Sequence, residues 1–155
     1  MTPAAIAGVF KQAGLLPLVH VQQPGHSWPT LRQMIDSGHR LVVLTEHRSG
    51  GRTYPWILNG FRQAQDTPYT NPTVADLSCR LNRGRPGNPL FLINNWLSGF
   101  SSLVSNARKV NSYQQLWSYV HRCQRVRGHL PNFVAVNYYN EGGLFRVVNR
   151  LNRAR

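Results

Sequence analysis

Apolar residues recur at helical spacing in some stretches of the chain and run unbroken in others, and the two patterns alternate. Thr2-Pro3 is a helix opening, with Thr as N-cap and Pro at a position whose missing N–H costs nothing. Ile6, Val9, Phe10 and Ala13 follow on one face, and Gly14 supplies the stop. Leu18, Val19 and Val21 allow a short strand. Ser27-Trp28-Pro29-Thr30 opens a second helix whose inner face is Leu31, Met34 and Ile35, ended by Gly38. Residues 40–46 then form a continuous apolar run that ends in Thr45-Glu46, the pattern of a parallel strand buried on both faces. Residues 89–96 and 132–139 repeat that design. Residues 48–87 read as a long Gly-, Pro- and Asn-rich connection with one short helix around Ile57 to Gln65.

Helices follow the last two strands. Ser112 and Gln115 predict a capping box, and behind it Tyr113, Leu116, Trp117, Val120 and Cys123 share a face up to Gly128. The last helix, residues 144–152, buries Leu144, Val147, Val148 and Leu151 and turns Arg146, Arg150 and Arg153 outward. Strand–helix alternation predicts an α/β fold with three parallel βα units after an N-terminal helix. Ligands in such folds bind at the C-terminal strand ends. That rule gathers Glu46, His47, Asn94, Asn95, Trp96, Asn137, Tyr138 and Tyr139 on one rim.

Composition narrows the partners. The 155 residues fit a single domain, 1–155, and 41% apolar residues exclude wholesale disorder. No apolar run reaches transmembrane length, and the opening MTPAAIAGVFKQAG lacks the basic n-region of a secretory signal. Eighteen basic against five acidic residues give +13, which brings nucleic acid and anionic lipid surfaces forward. Nearly all of that charge is Arg, since only Lys11 and Lys109 are lysines. It is scattered, densest at Arg80/Arg83/Arg85, Arg122/Arg125/Arg127 and the C-terminus through Arg155, which suits solvated helix faces. No ladder of interleaved aromatic and basic residues marks a stacking platform, so nucleic acid ranks below lipid. Few acids and no zinc-type spacing leave no metal site, and neither P-loop, G-x-S-x-G nor G-x-G-x-x-G occurs.

Five segments then occur in an order that resembles bacterial proteins related to the phosphatidylinositol-specific phospholipase C X domain. They are Trp28-Pro29-Thr30-Leu31 through Val43, Gln65-Asp66-Thr67-Pro68-Tyr69, Leu92-Ile93-Asn94-Asn95-Trp96-Leu97, Val110-Asn111-Ser112-Tyr113, and Pro131 through Tyr139. The resemblance runs from about Thr2 to Asn152 and implies a TIM-type (β/α) barrel that cleaves phosphodiesters. Two histidines act there as general base and acid, with the inositol 2-hydroxyl as internal nucleophile. They belong to the first barrel strands, whereas this chain looks like the C-terminal half. None of His20, His26, His39, His47, His121 or His129 falls in a matching motif, and a barrel needs about 250 residues. The expectation is therefore a partial TIM-type barrel contributing the substrate-side rim of a phospholipase C-like phosphodiesterase in lipid metabolism, inactive alone. Its partners would be a phosphoinositide or other phosphodiester substrate, an anionic membrane surface, and an N-terminal half-barrel or a second copy. The resemblance also implies an extracellular location. No cofactor is implied, and calcium, though open, is not indicated.

The candidate substrate-binding residues are Glu46, Asn95, Trp96, Asn137 and Tyr139; the resemblance implies a contact with substrate hydroxyls at Glu46, and the strand-end rule adds the others. Relatives often carry His where Asn95 stands and Asp where Asn137 and Gly143 stand. An Asp at the end of a late strand could stabilise a charged base histidine, whereas Asn can only hydrogen-bond. Glu46 reads first as a substrate or structural hydrogen-bonding group at the rim, next as a partner of Arg48 or Arg52, and last as simply exposed. Asn95 and Asn137 read equally as backbone partners at the strand ends, and for Trp96 and Tyr139, which could line an apolar mouth, packing under the long loop is the commoner fate. Cys79 and Cys123 both belong to the N-terminal pole of the sheet, so a bridge worth about 3–4 kcal/mol is open. A buried Cys123 with a free Cys79 is the other reading. The alternative function is a basic module that binds nucleic acid or anionic lipid without catalysis. A truncated reading frame, whose bare strand edges invite self-association, is the third.

Overall fold

The computed structural model describes residues 1–99 and 103–153. It is an α/β structure with parallel strands in two sheets, and its chain forms two compact units, Met1–Gln63 and Ala64–Arg155. Arg155 lies outside the described residues.

In the first unit, α1 (Pro3–Gln12) starts where expected, with the Thr2 hydroxyl accepting from the Ala5 N–H at 3.2 Å. Ile6 and Phe10 pack on a small core of Val19, Trp56 and Ile57, whereas Val9 is exposed. Residues 16–18 form a 3-10 turn, and the expected strand at Leu18–Val21 reduces to one parallel bridge, Val19 to Leu41. The second helix, α2 (Leu31–Asp36), has a full capping box between Thr30 and Gln33. Only Met34 of its expected inner face is buried. Leu31 and Ile35 are 78% and 60% exposed, because six residues present too short a stripe to cover more. The run at residues 40–46 pairs only as β1 (Val43–Thr45), parallel to β2 (Ile57–Asn59). The expectation of two buried faces is corrected here. Side chains alternate along a strand, the core lies on the Val43 side, and Leu44 is left partly exposed.

The expected helix at 57–65 is also corrected. Only α3 (Gly60–Gln63) is helical, between β2 and the strand β3 (Ala64–Asp66). Three-residue strands carry too little periodicity to separate from a helix. Among the described residues, five strands therefore replace the three expected.

The second unit is a parallel sheet of order β3-β4-β5, with β4 (Leu90–Asn95) in the middle and β5 (Phe133–Val136) at one side. The central strand is buried almost throughout. As an outer strand, β5 does not share that burial: Val134 packs on the core and Phe133 is 44% exposed. The core joins Phe91 and Ile93 of β4 to Leu116, Tyr119, Val120 and Cys123 of α5 (Tyr113–Arg127) and to Val147 and Leu151 of α6 (Leu144–Arg153). Tyr119 joins the expected face, and its hydroxyl donates to the Ser78 carbonyl. Burial raises its phenol above the usual tyrosine range. Ser112 precedes α5 but makes no side-chain cap, contrary to the predicted box. A further helix, α4 (Val104–Val110), was not foreseen. Cys79 and Cys123 are joined as a disulfide within this core. Among the described residues no helix is long and apolar enough to cross a membrane.

Candidate functional site

The C-terminal ends of β3 and β4 carry an unusual number of buried polar side chains: Asp66, Thr67, Asn71, Asn94, Asn95 and Asn111. Buried polar groups must find partners, so their bonds fix the local backbone. The Asp66 carboxylate accepts from Arg83 through Nε at 2.9 Å, Nη2 at 2.6 Å and the backbone N–H at 2.7 Å. Asn82 and Asn94 donate to it as well. The loop that brings Arg83 there passes β3 at Gly84, whose φ is +86 and where a Cβ would lie 2.1 Å from the Ala64 carbonyl oxygen. Only glycine fits both conditions. Asn94 is also bound to Thr67, donating from Nδ2 to its carbonyl at 2.6 Å and from its backbone N–H to the hydroxyl.

A second network runs from β4 toward the end of β5. Asn95 Nδ2 donates to the Val110 carbonyl and to Asn111 Oδ1 at 2.9 Å. Asn111 Nδ2 donates in turn to the Asn137 carbonyl at 2.9 Å. Gly142, at φ +88, lies so near the Asn111 carbonyl that a Cβ would meet it at 2.5 Å. The turn after β5 is thereby held, with Tyr138 in left-handed backbone at φ +51. Asn95 Oδ1 and Asn71 Oδ1 are buried without a hydrogen-bond partner.

Above these networks a small cleft is lined by Trp96, Leu97, Leu103, Asn106, Asn137 and Tyr138. Three of the residues expected on the rim, Trp96, Asn137 and Tyr138, therefore share one concavity. Asn95 has no exposed surface and acts on this cleft through Asn111. Tyr139 is not part of the lining; it is 67% exposed and meets Phe145 edge-to-face. Glu46 lies in the other unit, exposed just after β1, where its carbonyl accepts from Asn59 Nδ2. Arg108 of α4 pairs with Glu141 at 2.7 Å and ties that helix to the turn after β5. The hydrogen bond from Arg108 holds the Glu141 carboxyl below its usual range.

The sequence reading missed Asn111 and Asp66 as organisers, although both stand inside quoted motifs. Their one signal was position, Asp66 as the last residue of β3 and Asn111 as the residue that ends α4. Gly143 also gains a reason: a Cβ there would lie 2.9 Å from the backbone and Cβ of Tyr113, so a larger side chain would force that backbone to shift. Among the described residues no group of three His, Cys, Asp or Glu side chains is placed to hold a metal ion.

A family model described as PI-PLC X 1 matches residues 5–152. A PI-PLC X domain-containing protein of Arthroderma benhamiae is 24% identical over 81% of this chain and 45% of its own length. A PI-PLC X domain-containing protein of Arabidopsis thaliana is 29% identical over 97% of this chain and 37% of its own. An uncharacterized secreted protein of Arthroderma benhamiae is 28% identical, over 92% and 38%. The chain thus spans less than half the length of the curated relatives it matches. No solved structure matches it.

Proposed function

The chain belongs to the PI-PLC X family, and from that premise we propose that it supplies the substrate-side part of a phospholipase C-like phosphodiesterase built on a TIM-type barrel. The observation that carries this reading is the parallel β3-β4-β5 sheet whose Asn-rich C-terminal ends support the Trp96–Asn137 cleft. At the mouth of that cleft, which at about 10 Å³ holds no more than one water, the exposed Asn137 amide offers a donor and an acceptor to a phosphate or polyol hydroxyl beside Trp96. Tyr139 is the remaining substrate contact of this reading in the same unit, with Asn95 acting from below, and Glu46 is a separate candidate contact carried by the first unit. Asn137 cannot offset the charge of a protonated base as an aspartate would. The acid and base histidines come from barrel strands outside these 155 residues, supplied by an N-terminal half. The substrate is a phosphoinositide or another phosphodiester, and no cofactor enters the reading. An extracellular site of action is supported by the Cys79–Cys123 bridge and by the secreted relative.

The test is hydrolysis of phosphatidylinositol by the purified chain, alone and mixed with the matching N-terminal half. Turnover only in the mixture is expected; turnover by the chain alone would sink the claim that external histidines are required. The second reading, a basic binding module without catalysis, is favoured by the +13 charge. No turnover in either arm, with salt-steep binding to polyanions, would select it.

A further inference from the structure

The helices α5 and α6 bury their apolar sides in one core and turn a single sign of charge outward. Neither helix contains Asp or Glu. Arg122, Arg125, Arg146, Arg150 and Arg153 are all exposed on them. Two of these arginines are not loose tethers. Arg146 lies 4.6 Å over the Tyr113 ring and Arg150 4.4 Å over the Trp117 ring, and Arg150 Nη1 donates to the Tyr113 hydroxyl at 2.5 Å. The Tyr113 and Trp117 rings are themselves nearly parallel, 10° apart. Guanidiniums stacked in this way have lost much of their rotamer freedom before any ligand arrives, so binding orders them at less cost.

Arg146, Arg150 and Arg153 stand at i, i+4 and i+7, a single stripe about 10 Å long at 1.5 Å per residue. Next to its first member, Phe145 is 61% exposed and meets the 67% exposed Tyr139. Large aromatic residues left in water beside a basic row suit a membrane interface, where rings enter the headgroup region and cations meet phosphates. Single-stranded nucleic acid would use open ring faces for stacking. Here the faces of Tyr113 and Trp117 are already taken by guanidiniums and by one another. We propose that the α5–α6 face docks the protein on bilayers containing anionic lipid, with Arg146, Arg150 and Arg153 on the headgroups and Phe145 and Tyr139 in the interface. It shares Tyr139 with the substrate contacts proposed above, but its test reads vesicle binding and not turnover, so the two readings can fail separately.

The experiment is co-sedimentation of the full chain with phosphatidylcholine vesicles, with and without phosphatidylserine. Binding only to the anionic vesicles is expected. The variant R146Q/R150Q/R153Q should lose on the order of 100-fold in affinity, and R146K/R150K/R153K should keep most of it. A control, R40Q/R48Q/R52Q, removes the same charge from the other unit and should lose far less. F145A should weaken vesicle binding while leaving binding to single-stranded DNA unchanged, which keeps the proposal testable if the glutamine variant fails to fold. Equal losses in the control, equal binding to neutral vesicles, or vesicle binding unaffected by F145A would each overturn it. Tighter binding to DNA than to vesicles, lost in the glutamine variant, would reassign the face to nucleic acid.

Discussion

The carboxylate of Asp66, with no exposed surface, holds the Arg83 guanidinium at 2.6 Å while Arg83 keeps a third of its own side chain in water. The pair fixes the loop after β3 against the strand end from which Asn94 reaches back to the same carboxylate. Removing the two partners should therefore have unequal effects. Arg83→Met leaves a buried negative charge and costs about 3 kcal/mol, whereas after Asp66→Asn the guanidinium can turn to solvent and the loss is smaller. Urea unfolding of both variants measures the order, and a larger loss for Asp66→Asn would mean that the Asn82, Asn94 and Arg83 N–H donors left facing an amide outweigh the buried charge.

Cys79 and Cys123 close a separation of 44 residues inside the larger core. In the chain-entropy account that loop stabilises the folded chain by about 4 kcal/mol. Reduction with dithiothreitol, or the Cys79→Ser/Cys123→Ser pair, should lower the melting temperature accordingly. An unchanged melting curve after complete reduction would show that packing alone holds this pole.

How far the sequence was legible depended on element length. The six residues of β4 and the fifteen of α5 carry enough periodicity to be read, and Gly128 at φ +77 marks the helix end as expected. β2 and β3 have three residues each and vanish into a neighbouring helical turn. Burial of β1 and β5 was overestimated because apolar runs report what a strand can bury, whereas burial also needs a packed layer on both faces. The cleft was half legible: Trp96 and Asn137 stand where strand-end logic puts them. The buried amides beneath were not, since an Asn gives no sign in sequence of whether it faces a ligand or a carbonyl.

Asn111 tests that hidden layer. Its Nδ2 donates to the Asn137 carbonyl and its Oδ1 accepts from Asn95. Asn111→Ala strands both partners in a dry environment, an expected loss of about 2–3 kcal/mol, with faster amide exchange across residues 137–141. Ser112→Ala is the companion, because Ser112 makes no cap bond. Its loss should stay under about 0.5 kcal/mol. A loss near 1 kcal/mol would restore the capping box read from the sequence.

The Arg108–Glu141 pair predicts a pH signature. The Arg108 hydrogen bond depresses the Glu141 carboxyl in the folded protein. A folded-state depression stabilises above the ordinary carboxylate range and is lost as pH falls through the depressed value. The melting temperatures of the native chain and Arg108→Gln should therefore differ at neutral pH and converge on acidification. Following the Glu141 carboxyl by NMR should show it titrating higher in Arg108→Gln. A gap that widens in acid would mean that Arg108 acts through something other than this charge.

Asn137→Asp separates stability from chemistry. The side chain is exposed at the end of β5, and it is the Asn137 carbonyl, not the side chain, that accepts from Asn111. The substitution should therefore shift stability by less than about 0.5 kcal/mol. In the mixture with an N-terminal half, a carboxylate here would be able to stabilise a histidine as it takes up a proton. Removing such a carboxylate from a triad costs on the order of 10⁴ in rate, so restoring it should raise turnover at least about tenfold even with imperfect geometry. The gain should appear in kcat with little change in KM, because a group orienting the base acts on the reacting state and not on substrate binding. A rise confined to KM would make Asn137 a substrate contact only, and no change in either would remove it from the machinery.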